Sequence, residues 1–314
     1  MKKFTIILIG IGLVFIGVGV IMTSGDYNKL FKSFYSYDSS KYTKELKTIT
    51  SQNLKSILVD AKNEKITIKS TNKEEITITY YESEYTKYDF KDSSNTVSLI
   101  LVEDKLHFFN IGLNFFTPDI VIEIPEYLVL EYNIKISNAK IVVENLQINN
   151  STFKTNNARI ELTNVTSTER IQLKTDNGLI SVKNCNFATV NADTANARIY
   201  LEGTVLKAFT GKTNNGEIIL SDSDVTDNLN LKTTNGKVSF TGVSAPYIDV
   251  RTSNGKIVGS VFGDANEYYK DFKTTNGRIW LNGEKYSTNI NDYEKKEKNI
   301  FLQTTNGSIR IDFR

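Results

Sequence analysis

The chain has 314 residues, 39% apolar and 24% charged, with 38 Lys and Arg against 36 Asp and Glu. A net charge of +2 gives no electrostatic basis for nucleic-acid binding. The single cysteine, Cys185, and single histidine, His107, exclude an intramolecular disulfide framework and the usual three- or four-ligand zinc clusters. Cys185 reads as a small buried apolar residue and His107 as an incidental strand residue, rather than as a nucleophilic pair.

Residues 1–3 carry Lys2 and Lys3, and residues 4–22, "FTIILIGIGLVFIGVGVIM", carry no charge. As a helix this stretch spans about 28 Å, close to the hydrocarbon thickness of a bilayer. The flanking lysines predict a cytoplasmic N-terminus, so the rest of the chain is extracytoplasmic. The segment reads as an uncleaved signal anchor, with a cleaved signal peptide as the alternative. It is long for the latter, and "IMTSGDYNK" is a poor cleavage context. Residues 23–48 are polar with interspersed aromatics, and suit either a headgroup-level segment or a flexible stalk.

Residues 49–136 read as strands, among them "SILVDA", "KITIKS", "EITITYY", "TVSLILV" and "DIVIEIP". They suit irregular first coils plus a cap for the array that follows in 137–314. There one phrase recurs: "LKTDNGLISV", "GKTNNGEIIL", "LKTTNGKVSF", "FKTTNGRIWL", "LQTTNGSIRI". Its turn pairs are Asn177–Gly178, Asn215–Gly216, Asn235–Gly236, Asn254–Gly255, Asn276–Gly277 and Asn306–Gly307. Asn157 and Asn196 are followed instead by Ala158 and Ala197, and Asn138 marks a degenerate first copy. The asparagines fall 19 or 20 residues apart until the last two steps, of 22 and 30. Threonine always stands two residues before the asparagine of the later eight copies, and Ile or Val three after it.

Asn-Gly suggests positive φ and a hairpin array. A hairpin gives no reason for Thr-x-Asn to recur, whereas stacked coils of a parallel β-solenoid bring identical residues about 4.8 Å apart. There threonines can share hydroxyl bonds, asparagines can share amide bonds, and β-branched residues fill the axis. The expectation is therefore an all-β protein: a parallel β-solenoid of about nine coils, roughly 40 Å long, with N-terminal capping strands. "ANEYYKDF" and "GEKYSTNINDYEKKEKN" read as insertions that lengthen the last two steps.

The stretch "IEIPEYLVLEYNIKISNAKIVVENL" followed by serial "TTNGKVSF"-type turns resembles the bacterial putative-adhesin family of unknown function, which includes LiaG-like membrane-anchored envelope-stress proteins. The resemblance covers roughly residues 45–314 and the signal anchor. It implies a non-catalytic binding or scaffold role in the cell envelope, as a stress accessory or adhesin, and brings no catalytic residues or cofactor.

An enzyme remains the rival, because parallel β-helices also host polysaccharide lyases and hydrolases. Such sites need converging carboxylates or acidic Ca²⁺ ligands. The acids of "SDSDVTDN", Asp222, Asp224 and Asp227, fit a solvated loop better, and Asp176, Asp193 and Glu217 occupy different coil positions. A stronger pattern is basic. Lys212, Lys232, Arg251 and Lys273 stand three residues before an asparagine; Lys237, Lys256 and Arg278 stand two after one. Both positions alternate away from the apolar rows and form an edge suited to anionic envelope polymers or lipid headgroups. Equally, lysines there keep a sheet soluble and unpaired.

Overall fold

A computed structural model of the chain describes residues 42–50, 53–104, 118–294 and 296–314. The predicted anchor 4–22, most of the juxtamembrane segment and His107 lie outside the described residues. Among the described residues no helix is long and apolar enough to cross a membrane.

The described residues form two long sheets, of 14 and 13 strands, built mostly of parallel neighbours. Each coil contributes one strand to the 13-stranded sheet, bends at Thr-x-Asn, and contributes its next strand to the 14-stranded sheet. The register is position for position: Ile180 lies beside Ile199, Ile199 beside Ile218, and Ile218 beside Val238. The hairpin alternative is thereby excluded within the array. The core fills the space between the sheets. In the Asn235 coil Leu229, Leu231, Val238 and Phe240 are at most 1% exposed, and burying each side chain is worth about 1.5–3 kcal/mol. Gly259, the one break in its apolar row, lies beneath the Phe240 ring, which would stand 2.3 Å from an added Cβ.

The uneven period has a local cause. The strands Thr166–Thr175 and Asp224–Lys232 belong to the two 20-residue coils, and each shifts register by one against a 19-residue neighbour, between Ser167 and Arg170 and opposite Leu206–Ala208. The extra residue is absorbed as a bulge. Asp227 lies in the second of these, exposed.

The bend departs from the sequence expectation in two ways. First, neither the asparagines nor the glycines of the turn pairs have positive φ. Glycine is required by close approach instead: a Cβ at Gly236 would sit 1.7 Å from the carbonyl oxygen of Gly216 in the coil below, and one at Gly255 would sit 1.7 Å from that of Gly236. Second, the threonine hydroxyls do not bond to one another. Thr233 Oγ1 accepts from the Gly236 amide at 3.1 Å and donates to the Gly216 carbonyl at 3.1 Å. Thr175, Thr213, Thr252, Thr274 and Thr304 each likewise accept from their own glycine. Thr155 and Thr194 keep only the carbonyl bond, opposite Ala158 and Ala197.

The expected asparagine ladder is present. Each side-chain amide donates to the carboxamide oxygen of the next coil at 2.6–2.8 Å, from Asn138 on Asn63 through to Asn276 on Asn306. Left-handed residues recur instead at the opposite bend, among them Asn145, Asn164, Asn184, Gly203 and Asp222, with φ of 47–56°. These residue types tolerate that conformation best.

Spatial order departs from chain order at both ends. The coil of Ser56–Asp60 and Ile66–Thr71 lies between that of Thr96–Asp104 and Ile120–Pro125 and that of Glu131–Lys135 and Ile141–Glu144. At the other end the last coil, Lys298–Thr304 and Ile309–Phe313, is inserted between the Asn254 and Asn276 coils. "ANEYYKDF" is thus no simple insertion, since most of it is the strand Tyr268–Thr274 of the outer coil. The loop after it supplies Glu284–Tyr286 and Asn289–Asn291, which pair antiparallel with that coil. At the N-terminal end Thr43–Ile49 pairs antiparallel with Ile76–Glu82, so the last residues of the expected stalk form an edge strand.

Replacing Gly236 with Val should lower the melting temperature far more than replacing Lys237 with Ser, because the new side chain meets backbone, whereas an exposed charge change is usually within about 0.5 kcal/mol. Gly236→Ala should fall between them, adopting the Ala158 form of the bend and losing the amide–threonine bond, a net loss of about 1 kcal/mol. Equal shifts for all three would show that the close approach does not constrain the bend. Cys185 offers a second check: its thiol is buried and pushed up to about 11 by desolvation. Thiol alkylation of the folded protein at pH 8 should run more than about a hundredfold slower than after denaturation; comparable rates would mean that this bend opens readily.

Candidate functional site

The outward rows beside the asparagine ladder hold the basic edge. On one side Asp193, Lys212, Lys232 and Arg251 follow one another in register on neighbouring strands of the 13-stranded sheet. The next rung is Gln303, and only then comes Lys273. On the other side of the ladder Lys237 and Lys256 are neighbours, while Ser308 separates Lys256 from Arg278. The edge, densest in sequence from Lys232 to Arg278, is therefore interrupted in space by one neutral rung. The inserted last coil is the cause.

All seven cations are exposed. Arg251 is held by Asp249 in a two-pronged contact of 2.8 and 2.9 Å, which raises its pKa above its ordinary value through hydrogen bonding and then charge. Lys273 pairs with Asp271 at 3.1 Å. Among the described residues Lys212, Lys232, Lys237, Lys256 and Arg278 make no ion pair. Glu217, which adjoins Lys237 along its row, is taken by Arg198 at 2.9 Å. Four unpaired lysines thus lie on three consecutive coils, on both sides of the asparagine ladder. Stacked about 4.8 Å apart, like charges repel by up to about 1 kcal/mol per pair in water. The arrangement is able to hold a linear anion by charge and by the free carboxamide edges between the rows.

The acidic candidates are dispersed by local structure. Asp222 sits at a left-handed bend, Asp224 is bonded to Ser244, and Asp227 lies in a bulge. Among the described residues no group of three or more His, Cys, Asp or Glu is placed to hold a metal ion. Sequence reading missed an aromatic group on the outer face of the 13-stranded sheet: Tyr247 and Tyr269 flank Phe301, with ring centroids 5.7 and 5.9 Å away. No sequence signal reveals it, because Phe301 joins the tyrosines only through the insertion of the last coil.

Among solved structures, a putative cell adhesion protein from Clostridium sporogenes ATCC 15579 is 12% identical, over 87% of this chain and 100% of that one, with a TM-score of 0.27. A putative adhesin from Parabacteroides merdae ATCC 43184 is 16% identical over 70% and 96%, with a TM-score of 0.36. Another, from Parabacteroides distasonis ATCC 8503, is 12% identical over 87% and 97%, with a TM-score of 0.34. Likenesses this remote bear on neither ligand nor partner. No curated protein matches the chain. The Toastrack DUF4097 family matches residues 54–257 and again 166–314, taking in both sheets and the inserted last coil, and the protein belongs to that family.

Proposed function

We propose that this Toastrack protein is a membrane-anchored, extracytoplasmic and non-catalytic binding or scaffold component of the bacterial cell envelope, serving as an adhesin or envelope-stress accessory. The uncharged segment 4–22 behind Lys2 and Lys3 supports the anchor and its orientation. The observation that carries the binding role is the set Lys212, Lys232, Lys237 and Lys256, exposed, mutually repelling and without acidic partners among the described residues. Its ligand is a phosphodiester-type polyanion, from an envelope polymer or from lipid headgroups, and other envelope proteins assemble around that contact. The rival, a polysaccharide-active β-helix enzyme, has no observation in its favour: Asp176, Asp193 and Glu217 occupy different positions of their bends, and Glu217 is paired with Arg198.

The test uses the full chain in detergent, immobilised, with poly(glycerol phosphate) and short-chain phosphatidylglycerol as separate probes. Binding of at least one should weaken steeply with salt, since exposed charges are screened over about 8 Å at physiological ionic strength. Changing Lys212, Lys232, Lys237 and Lys256 together to Gln should abolish it and leave the melting temperature equal or slightly higher. Changing Lys273 and Arg278, beyond the neutral rung, should matter much less. No binding of either probe at low salt, or full binding by the fourfold variant, would reduce the edge to a solubility device.

A further inference from the structure

The inserted last coil does more than interrupt the basic rows. It places Lys298–Thr304 between Tyr247–Arg251 and Tyr268–Thr274, three parallel strands in strict register. The outer strands carry the same outward pattern, Tyr-x-Asp-x-Arg in "YIDVR" and Tyr-x-Asp-x-Lys in "YKDFK". Alternation turns the intervening residues inward: Ile248, Val250, Ile300, Leu302 and Phe272 are fully buried, and Lys270 is 8% exposed and paired with Asp292. The outward residues therefore form a grid that is symmetric about the central strand. Tyr247 and Tyr269 flank Asn299 in one row, and Asp249 and Asp271 flank Phe301 in the next. Gln303 lies between Arg251 and Lys273 in the third.

An aromatic ring on a solvent face surrounded by hydrogen-bonding groups has a defined chemical complement. Phe301 is only partly buried, and Tyr247 is 37% exposed. The carboxylates on either side of Phe301 are held in place, Asp249 by Arg251 at 2.8 Å and Asp271 by Lys273 at 3.1 Å. Both carboxylates sit low between the rings: Asp249 is 8% exposed, and among the described residues Asp271 Oδ1 is buried without a hydrogen-bond partner. Tyr269 is oriented by its hydroxyl, which donates to Asn291 Oδ1 at 3.0 Å on the capping strand Asn289–Asn291. The pattern is an apolar centre on Phe301, with the two tyrosine rings tilted by 47° and 54° against it, and amides at the rim. That suits a pyranose, whose C–H face lies on an aromatic ring while its equatorial hydroxyls reach outward to polar groups. A nucleic acid would meet two carboxylates at the centre, and a purely apolar partner would leave the rim unsatisfied.

We propose that the Tyr247–Phe301–Tyr269 face is a saccharide-binding platform that seats one pyranose of a neutral, linear polysaccharide on Phe301. Gln303 and Asn299 offer their amides to its hydroxyls and to the neighbouring units. The site lies one rung beyond the unpaired lysines, so a polymer bearing both sugars and phosphates could contact both, but the platform needs no charge on its ligand.

The full chain in detergent would be titrated with two neutral probes, the β-1,4-linked hexasaccharides of glucose and of N-acetylglucosamine, by calorimetry and by tyrosine fluorescence. Roughly millimolar to micromolar binding of at least one probe is expected, undiminished at high salt. Phe301→Ala should weaken it at least about tenfold, Phe301→Trp should restore it, and Gln303→Ala, at an exposed position, should weaken it with the fold intact. Phe301→Leu, which keeps apolar bulk without a planar face, covers the case in which the alanine variant misfolds. The fourfold Lys→Gln variant should bind these probes normally, which separates failure of the platform from failure of the basic edge. Absence of binding to both hexasaccharides at millimolar concentration, or binding unaffected by loss of the Phe301 ring, would overturn the proposal.

Discussion

The structure depends on one contact repeated up the stack, the approach of each bend to the backbone of the coil below. The threonine hydroxyl lies at its centre, accepting from the glycine amide of its own coil and donating to a carbonyl of the next. That carbonyl sits so near the glycine that a Cβ would overlap it, at 1.5–1.8 Å in the turn-pair copies. A buried hydroxyl left unbonded costs about 1–3 kcal/mol, so a threonine buried to 0–6% in every such copy is held by both of its partners where glycine follows. Neighbouring coils are thereby locked in height and register, and the apolar rows on either side align without a choice of slip.

Locking every coil to its neighbours raises the question of how the stack ends. A solenoid with its first and last coils outermost would present chain termini and open sheet edges together. Here the first coil and the last coil of the chain each lie second from an end, covered by coils made from internal sequence. Antiparallel strands then extend beyond the outermost coils, Thr86–Asp92 on Thr96–Asp104 and Ile76–Glu82 on Ile120–Pro125, with Thr43–Ile49 outside it, at one end, Glu284–Tyr286 and Asn289–Asn291 at the other. The exposed edge strand TKYDFKD is rich in charge, which disfavours pairing with another chain. The outer C-terminal coil gains its parallel neighbour only when the last strand pair arrives, so this end closes as a unit.

Much of this was legible in sequence. The period, the parallel stacking, the asparagine ladder and the inward Ile rows follow from identical residues recurring at identical positions. The reason for glycine was misread because Asn-Gly is so familiar as a positive-φ pair, whereas repetition creates a second demand, room for a backbone from another coil. Asn145, Asn164, Asn184, Gly203 and Asp222 carry the left-handed demand, and their varied identities hid them. Of the candidate site, outward exposure of the cations was legible from alternation. Their neighbours were not, because a tandem array suggests that the next coil in sequence is the next in space.

That assumption fails once at each end, and the C-terminal failure shapes the surface. Inward positions are constrained alike in every coil, so they carry no information about what the protein binds. Outward positions are free to differ, and their meaning depends on which strands lie side by side. Placing Gln303 and Ser308 between Arg251/Lys256 and Lys273/Arg278 divides one charged edge in two. The same step brings Phe301 between two Tyr-x-Asp strands that the chain contributes in succession to the 13-stranded sheet. A single exchange of rung order thus leaves the core rows unchanged while it changes what the exterior is able to recognise.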